Sequence, residues 1–343
     1  MALRSISLAL QGGGVHGAFT WGALDRLLEE ERLDIAAISA TSAGALNAAA
    51  LKAGMLRDGR AGARANLDWL WEQIGAIPND ALSAWFAAAG PDAGSISRAI
   101  EASPAYQWGE AVSRMVSPYQ LPLPNPLRRI AERFDFDRVC AASPPSLHVC
   151  ATNVRTGKVR VFAGAEITAD AILASACLPT LFRAIEITDP ATGIRDAYWD
   201  GGYTGNPALF PLFRPDLPDD LVIVNINPIE RPGTPTTAAE ILNRINEIGF
   251  NSSLLKELRA IAFVQRLLRD GHLAPGAMKG LHVHMIADDA LMRQLSVATK
   301  TVPNPVVIAR LKAAGRAAAE AFLGRCWCDL GSRDSIRLDD LYG

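Results

Sequence analysis

A glycine-rich stretch, Gln11-Gly12-Gly13-Gly14-Val15-His16-Gly17, lies near the start of this sequence. It follows a short apolar segment, Ile6 to Leu10, and opens a helical pattern that starts near Ala18. Backbone amides of such a loop can converge on one point beside the positive end of a helix dipole, where they favour a negative charge. The sequence therefore predicts a strand–loop–helix unit with an anion-binding loop at its turn.

Strand and helix patterns alternate outward from this loop. A helix is predicted from about 18 to 30, a strand from 35 to 39 and a second helix from 43 to 52, and this alternation favours a parallel sheet. Further strands are predicted at 147–151, 159–162, 221–226 and 282–286, and further helices from the capping box at 237–240 to about 269 and from 305 to 323. We predict an α/β fold, a three-layer sandwich with a central, mostly parallel sheet flanked by helices.

Composition limits the classes of function. The 343 residues are 49% hydrophobic and 20% charged, which is a globular composition, and the formal net charge of -2 gives no electrostatic reason to expect nucleic acid as a partner. The five cysteines are odd in number and widely spread, so a reducing compartment fits best. The N-terminus lacks a signal-peptide cleavage site, and no apolar run approaches the roughly 20 residues that span a bilayer. These features favour a cytoplasmic protein that meets membranes only peripherally.

The glycine loop alone also fits a nucleotide site. A dinucleotide-binding fold requires an acidic residue at the end of the second strand, yet that strand ends in Ala40-Thr41-Ser42-Ala43-Gly44 and Asp34 lies at its other end. A phosphate-binding P-loop requires Lys and then Ser or Thr where Ala18 and Phe19 follow Gly17. Neither nucleotide site is therefore expected.

The segment Ala40 to Gly44 resembles a nucleophile elbow, in which small flanking residues let a strand turn sharply into a helix and expose a serine hydroxyl. Ala43 would supply a backbone N–H beside the glycine loop, so the two motifs could jointly hold an oxyanion. The alternative for Ser42 alone is a helix N-cap. Farther along, Asp200-Gly201-Gly202 places a carboxylate beside two glycines, which permits close backbone approach but also suits an ordinary turn.

Together, the glycine loop, the serine elbow and Asp-Gly-Gly, in this order, resemble the signature of patatin-like phospholipases. Ala174-Ser175-Ala176-Cys177-Leu178-Pro179 is similar to the family's Ala-Ser-x-x-x-Pro element. The resemblance covers about Ser5 to Asn206. It implies a catalytic domain at 1–210, with 211–343 as a C-terminal extension that completes the same α/β domain.

The resemblance also implies a mechanism. Ser42 would be the nucleophile and Asp200 its general base, in a Ser–Asp dyad that cleaves acyl-ester lipids, as a phospholipase A or lysophospholipase does, through an acyl-serine intermediate. The oxyanion hole would be formed by Gly12, Gly13, Gly14 and Ala43, and the remaining motif positions are His16, Gly17, Ala40, Gly44, Gly201 and Gly202. No metal or other cofactor is implied, and the partner would be a membrane or lipid surface.

Two positions depart from the family pattern. The family usually has Arg or Lys where His16 stands, so a permanent charge is replaced by a group that titrates near neutrality. The first glycine of the elbow is replaced by Ala40, the next smallest residue.

Two other functions compete with the dyad. A Ser-His-Asp esterase of the α/β-hydrolase class needs a histidine after the serine, and the candidates are His148, His272, His282 and His284. His282 and His284 share one face of a strand and are predicted to be partly exposed, although a metal site with Asp288 or Asp289 would also fit. The other alternative is a non-catalytic module that binds acyl lipids in the same pocket.

Aromatic residues are concentrated between 67 and 119, where four of the seven tryptophans occur. The residues concerned are Trp69, Trp71, Trp85, Phe86 and Trp108. Tryptophan serves both in helix packing and at membrane interfaces, so this segment is predicted to be either a packed part of the domain or a lid over the site.

Overall fold

A computed structural model describes residues 3–77, 92–120, 124–189, 192–274 and 276–342. The strands are β1 Arg4–Leu10, β2 Leu33–Thr41, β3 Ser146–Asn153, β4 Val159–Ala163, β5 Ile185–Thr188, β6 Arg195–Asp200, β7 Asp220–Val224 and β8 His282–Ile286. The α-helices are α1 Gly17–Leu27, α2 Ala43–Gly75, α3 Ala93–Ala102, α4 Pro104–Met115, α5 Arg128–Ala131, α6 Phe136–Val139, α7 Ala169–Ser175, α8 Ala238–Arg269, α9 Asp289–Met292, α10 Val297–Thr301, α11 Pro305–Cys326 and α12 Asp339–Tyr342. Short 3-10 helices occur at Gly14–His16, Gly164–Glu166, Gly201–Tyr203 and Phe210–Leu212.

The described strands form one sheet in the order β5-β6-β3-β2-β1-β7-β8, with β4 also paired to β3. The pairs from β3 through β2, β1 and β7 to β8 are parallel. The pairs of β3 with β4 and β6, and of β5 with β6, are antiparallel. The predicted mostly parallel sheet is confirmed, and β7, from beyond residue 210, lies directly beside β1. The antiparallel strands β5 and β6 were not predicted.

Helices cover both faces of the sheet. Successive side chains of the central strands point to opposite faces, so each face contributes to its own apolar cluster. Leu8, Leu10 and Val222 belong to a large cluster that includes residues of α1, α2 and α11. Ala9, Leu221 and Ile223 point to the other side, where they join Leu254, Leu258 and Ile261 of α8. Strands buried on both faces are typical of parallel sheets between helical layers. The three-layer α/β architecture is thereby confirmed.

The helix after the elbow is longer than predicted. It runs from Ala43 to Gly75 and is interrupted at Asp58 and Gly59, whose backbone angles are not helical. Gly59 has φ +63°, a conformation that glycine adopts without steric cost. Asn66 donates to the carbonyl oxygen of Ala50 at 3.1 Å, so the second half of α2 returns along the first.

The aromatic segment divides into packed and exposed residues. Trp71 is buried, and Trp69 packs edge-on against Phe134. Trp108 is 71% exposed, and the predicted positions 85 and 86 lie outside the described residues. Trp69 and Trp71 are therefore packing residues. Among the described helices, none is both long and apolar enough to cross a membrane.

Candidate active site

Ser42 lies on a strained turn between β2 and α2. Its backbone angles are φ 55° and ψ -122°, and it is the only described non-glycine residue with a positive φ. Such strain is typical of functional turns. A Cβ at Gly44 would collide with the carbonyl oxygen of Leu10, so the elbow needs glycine there. The Ser42 side chain makes no capping hydrogen bond to α2, and the N-cap alternative is therefore not supported.

Ser175, the last residue of α7, links the elbow to β3 through hydrogen bonds. Its hydroxyl accepts a hydrogen bond from the N–H of Ser42 at 2.8 Å and donates one to the carbonyl oxygen of Cys150 at 2.6 Å. The N–H of Asp200 donates to the carbonyl oxygen of Cys177 at 2.8 Å. The Ala-Ser-x-x-x-Pro element thus contacts the backbone of both Ser42 and Asp200.

Asp200 ends β6 in a buried position, 1% exposed. The register of the sheet brings it to Ser42, because Thr41 lies opposite Cys150 and Asp200 lies opposite the next residue, Ala151. Its Oδ1 accepts the N–H of Gly202 at 2.7 Å. Burial raises the pKa of the Asp200 carboxyl to about 7, although hydrogen bonds from Gly202 and the Ser42 hydroxyl and the charge of Lys300 lower it. A carboxylate with such a pKa can act as a base near neutral pH.

Three residues with unpaired backbone N–H groups line the same cavity. Gly13, Gly14 and Ala43 line the cavity that contains Ser42 and Asp200, and their N–H groups have no hydrogen-bond acceptor among the described residues. Gly14 has φ +58°, and a Cβ there would collide with the carbonyl oxygen of Lys300. Since α1 and α2 both begin beside this point, their dipoles favour a negative charge there.

Gly12 does not belong with these donors, contrary to the sequence prediction. Its N–H donates to Oδ1 of Asn206 at 2.6 Å, and its carbonyl oxygen accepts from Asn227 at 2.9 Å. Its amide is therefore occupied by a side chain. The glycine is still required for packing, because a Cβ at Gly12 would stand 2.6 Å from the Cβ of Ser42.

The other motif positions pack around this centre. A Cβ at Gly17 would stand 2.6 Å from that of Ala43, so α1 and α2 start in contact. Ala40 is fully buried in β2, opposite Leu10 and Val149. Gly201 and Gly202 form the turn after Asp200, where a Cβ would meet Cys150 or Phe250.

Polar side chains bind the glycine loop near the carboxyl ends of β1 and β7. The sequence analysis did not assign a role to these side chains. The Gln11 Oε1 atom accepts hydrogen bonds from the N–H groups of Ile226 and Asn227 at 2.9 and 3.1 Å. The Gln11 Nε2 atom donates to Oδ1 of Asn251 at 3.1 Å. Asn206 and Asn227 both contact Gly12. No local pattern marks these residues, since their contacts span about two hundred positions.

His16 is buried and is not among the described residues that line the cavity. Its Nε2 is 2.8 Å from Oγ1 of Thr299. Burial lowers its pKa well below the usual value, and the charges of Lys300 and Arg231 lower it further. The imidazole is therefore neutral at physiological pH, and a different cation, Lys300 of α10, lines the cavity.

Most of the remaining cavity lining is apolar. Its volume is about 170 Å³, and Ser42 and Asp200 lie in its wall. The apolar lining includes Leu46, Trp71 and Ile74 of α2 and Leu178, Leu181 and Phe182 after α7. A hydrocarbon chain could be buried along this wall, with its polar end at Ser42.

None of the four candidate histidines of a Ser-His-Asp triad makes a described hydrogen bond to Ser42. His284 is wholly buried, where partial exposure was predicted, because its ring bonds Asp220 and Ser335 at 3.0 Å and packs on Phe322. Among the described residues, no three His, Cys, Asp or Glu side chains could hold a metal ion. Asp288 caps α9 instead.

Solved structures of other proteins resemble this chain in fold. The fold is similar to the crystal structure of VipD from Legionella pneumophila, with 16% identity over 94% of this chain and 67% of that chain and a TM-score of 0.41. It is also similar to the heterodimeric complex ExoU-SpcU from the type III secretion system of Pseudomonas aeruginosa, with 19% identity, 95% of this chain and 60% of that chain covered, and a TM-score of 0.31.

A search of curated proteins finds no match. The family model for patatin-like phospholipases, in contrast, matches residues 8–213, which is more than half of the chain and contains Ser42, Asp200 and the glycine loop. The chain belongs to the patatin-like phospholipase family, a family of lipid acyl hydrolases.

Proposed function

We propose that this protein is a serine acyl-ester hydrolase of the phospholipase A or lysophospholipase type, with Ser42 as nucleophile and Asp200 as general base. The observation that carries the proposal is the convergence of a strained serine, a buried carboxylate and unpaired backbone amides in one apolar cavity. Each group answers one need of acyl transfer: a nucleophile, a base and an oxyanion site.

In the first half-reaction, Asp200 accepts the proton of the Ser42 hydroxyl while Oγ attacks the carbonyl carbon of the ester. The carbonyl oxygen becomes an oxyanion, which the N–H groups of Gly13, Gly14 and Ala43 stabilise. Each such donor contributes about 3 kcal/mol by comparison with single deletions in other hydrolases. The intermediate collapses when the alcohol leaves with the proton from Asp200, and the acyl group stays on Ser42.

In the second half-reaction, Asp200 accepts a proton from a water molecule that attacks the acyl-Ser42 carbonyl. The same amides hold the second oxyanion. Collapse breaks the bond to Oγ, Ser42 recovers its proton from Asp200, and the fatty acid is released. Every proton transfer passes through this one carboxyl, so no histidine is needed.

The substrate would come from a lipid surface. An exposed apolar face beside the cavity supports this proposal. On α8, Ile241, Ile245 and Ile248 are 41%, 60% and 54% exposed and follow helical spacing. Asn246 and Phe250 of the same helix line the cavity. We propose that this face contacts membranes reversibly from the cytoplasm, and that 211–343 completes the catalytic domain.

The proposal is tested by two measurements on the purified chain. A fluorophosphonate probe should label Ser42, and a panel of phospholipid, lysophospholipid and glyceride substrates should be hydrolysed by the wild type but not by Ser42→Ala. Absence of labelling in folded protein would instead favour a non-catalytic lipid-binding module.

A further inference from the structure

Lys300 is a buried cation beside the reacting groups, in a part of the chain beyond the family match. It is 8% exposed, and its Nζ donates to Oδ1 of Asn227 at 2.9 Å and to Oδ1 of Asn246 at 3.0 Å. Both partners are neutral amides. Of the described residues that line the cavity, only Asp200 and Lys300 carry a charge.

Within the described structure, Lys300 has no carboxylate at ion-pair distance. The nearby buried Glu247 is bound instead by Arg231 at 2.7 Å and by Arg244 at 3.4 Å, and Asp200 and Glu247 act on Lys300 only through longer-range attraction. Burial lowers the pKa of Lys300 to about 8, so the ammonium form predominates at pH 7. A buried charge without a direct counter-ion is costly. The two amide oxygens, the Phe250 ring 5.8 Å from Nζ and the attraction of the more distant carboxylates offset that cost only in part, since the net pKa shift is downward.

The position of Lys300 is fixed against the glycine loop. Its carbonyl oxygen lies where a Cβ of Gly14 would stand, and the preceding residue, Thr299, bonds His16 at 2.8 Å. Because His16 is neutral, the loop carries no cation of its own. Lys300 therefore supplies the one positive charge in the described wall of the cavity. Its backbone contact with Gly14 fixes its position relative to the glycine loop.

We propose that Lys300, with Asn246, binds a phosphate group of the substrate close to the scissile ester. The enzyme then favours acyl esters that carry a phosphate over neutral glycerides. This inference rests on the proposed function and assigns a substrate class to the same site. The acyl chain lies along the apolar wall of α2 and the segment 178–182, and the phosphate provides the counter-ion that Lys300 lacks.

The test compares two substrates with the same acyl ester, palmitoyl lysophosphatidylglycerol and monopalmitoylglycerol. For Lys300→Gln, we expect the ratio of kcat/KM on the phospholipid to kcat/KM on the glyceride to fall at least tenfold, mainly through a higher KM for the phospholipid. Lys300→Arg keeps the charge and should restore most of the preference. Asn246→Asp supplies a counter-ion while Lys300 stays in place, and it should also weaken the preference.

Lys52 provides a matched control. It is also a buried lysine bonded to a neutral group, the carbonyl oxygen of Ala141 at 2.7 Å, but it does not line the cavity. Lys52→Gln should change stability without changing the ratio of the two kcat/KM values. Thermal unfolding of each variant identifies effects that come from folding alone.

Two outcomes would overturn the inference while leaving the proposed function intact. One is an equal loss on both substrates, which would mean that the charge serves the reaction centre or the fold. The other is no loss on either. If the wild type hydrolyses neither substrate and Ser42 is not labelled, the proposed function fails, and this inference fails with it.

Discussion

Two clusters, each with a serine and a buried aspartate, lie at opposite ends of the parallel strands. Ser42 and Asp200 meet at the carboxyl ends of the strands, whereas Asp220, His284 and Ser335 meet where β7 begins. By residue type, the second cluster is the better match to a catalytic triad. Its geometry is not that of an active site, since His284 is wholly buried and Ser335 lies outside the cavity.

The two aspartates differ in the direction of their pKa shifts. Burial raises the pKa of Asp200 to about 7. Burial also acts to raise the pKa of Asp220, but hydrogen bonds from His284 and from the N–H of Gly331 outweigh it, and the net shift is downward. Asp220 is thus a stable anion that binds its neighbours, whereas Asp200 can exchange a proton near neutral pH. The environment, rather than the set of residue types, separates a reactive carboxyl from a structural one.

The largest effect expected is that of Ser42→Ala, which removes the proposed nucleophile. Turnover of a fatty-acyl ester should fall by roughly 10⁴-fold or more, while thermal unfolding shows an intact fold. Ser335→Ala removes the serine hydroxyl of the other cluster and should leave turnover nearly unchanged. Comparable losses in both variants would reverse the assignment of the two clusters.

Asp200→Asn removes the proposed base without changing the size of the side chain. We expect kcat to fall by roughly 10²- to 10⁴-fold. The stability of the variant, in contrast to its activity, should exceed that of the wild type above neutral pH. The folded pKa of about 7 lies above the unfolded value, so wild-type stability falls as pH rises from about 4 to about 7. The variant should therefore be the more stable protein at pH 8, and the difference should shrink as pH falls from about 7 to about 4.

Asp220→Asn is the matched control for that stability measurement. The folded pKa of Asp220 is lowered, so its ionised form stabilises the protein above the unfolded pKa and this contribution is lost as pH falls. Asp220→Asn should be less stable than the wild type at neutral pH in urea unfolding. If both variants shift in the same direction, the contrast between the two carboxyls is wrong.

The pH dependence of catalysis should follow the ionisation of Asp200. Because only the carboxylate accepts a proton, kcat/KM on a neutral ester should rise with pH and level off above a midpoint near pH 7. His16 does not account for such a midpoint, since its pKa lies well below the usual value. A midpoint near pH 4 would show that Asp200 is not desolvated in the working enzyme.

Ser175→Ala should have a smaller effect. It leaves the buried N–H of Ser42 without its acceptor, which costs about 1–3 kcal/mol of stability. The elbow loses a fixed contact, and we expect kcat to fall by roughly tenfold or somewhat more, with little change in KM. Steady-state kinetics on a water-soluble ester gives kcat and KM separately. A change confined to KM would assign Ser175 to substrate binding instead.

The smallest effect on turnover is expected for His284→Ala. The variant removes a buried hydrogen-bond partner of Asp220 and should lose about 1–3 kcal/mol of stability. The rate per folded molecule should nevertheless stay within about threefold of the wild type, because separate sites act independently. Active-site titration with the fluorophosphonate probe gives the folded fraction. Abolished turnover in fully titratable enzyme would restore the Ser-His-Asp alternative.

The sequence predicted the parts of the site that are local in the chain. The glycine loop, the elbow and Asp200 each depend on a few consecutive residues whose size and backbone freedom are visible in one dimension. Lys300 was not found, because its significance depends on contacts with loops that lie far away in sequence. Gly12 was assigned wrongly for a similar reason, since its acceptor is Asn206.

The same limit explains the errors in the fold. The parallel strands are continuous apolar runs and were predicted, whereas β5 and β6 are short and only partly buried. His284 was expected to be partly exposed from strand alternation alone. Its burial comes from α11 and from Ser335, both distant in the chain.

One strand, β3, sets the distance between Ser42 and Asp200. Thr41, the residue before Ser42, and Asp200 pair with Cys150 and Ala151 from opposite sides of β3. Because Cys150 and Ala151 are consecutive, the two flanking strands are offset by a single residue step of about 3.3 Å along the buried strand between them. Movement of surface loops cannot pull the two groups apart. On heating, we therefore expect the capacity for probe labelling at Ser42 to persist until the sheet itself melts, with one midpoint for both.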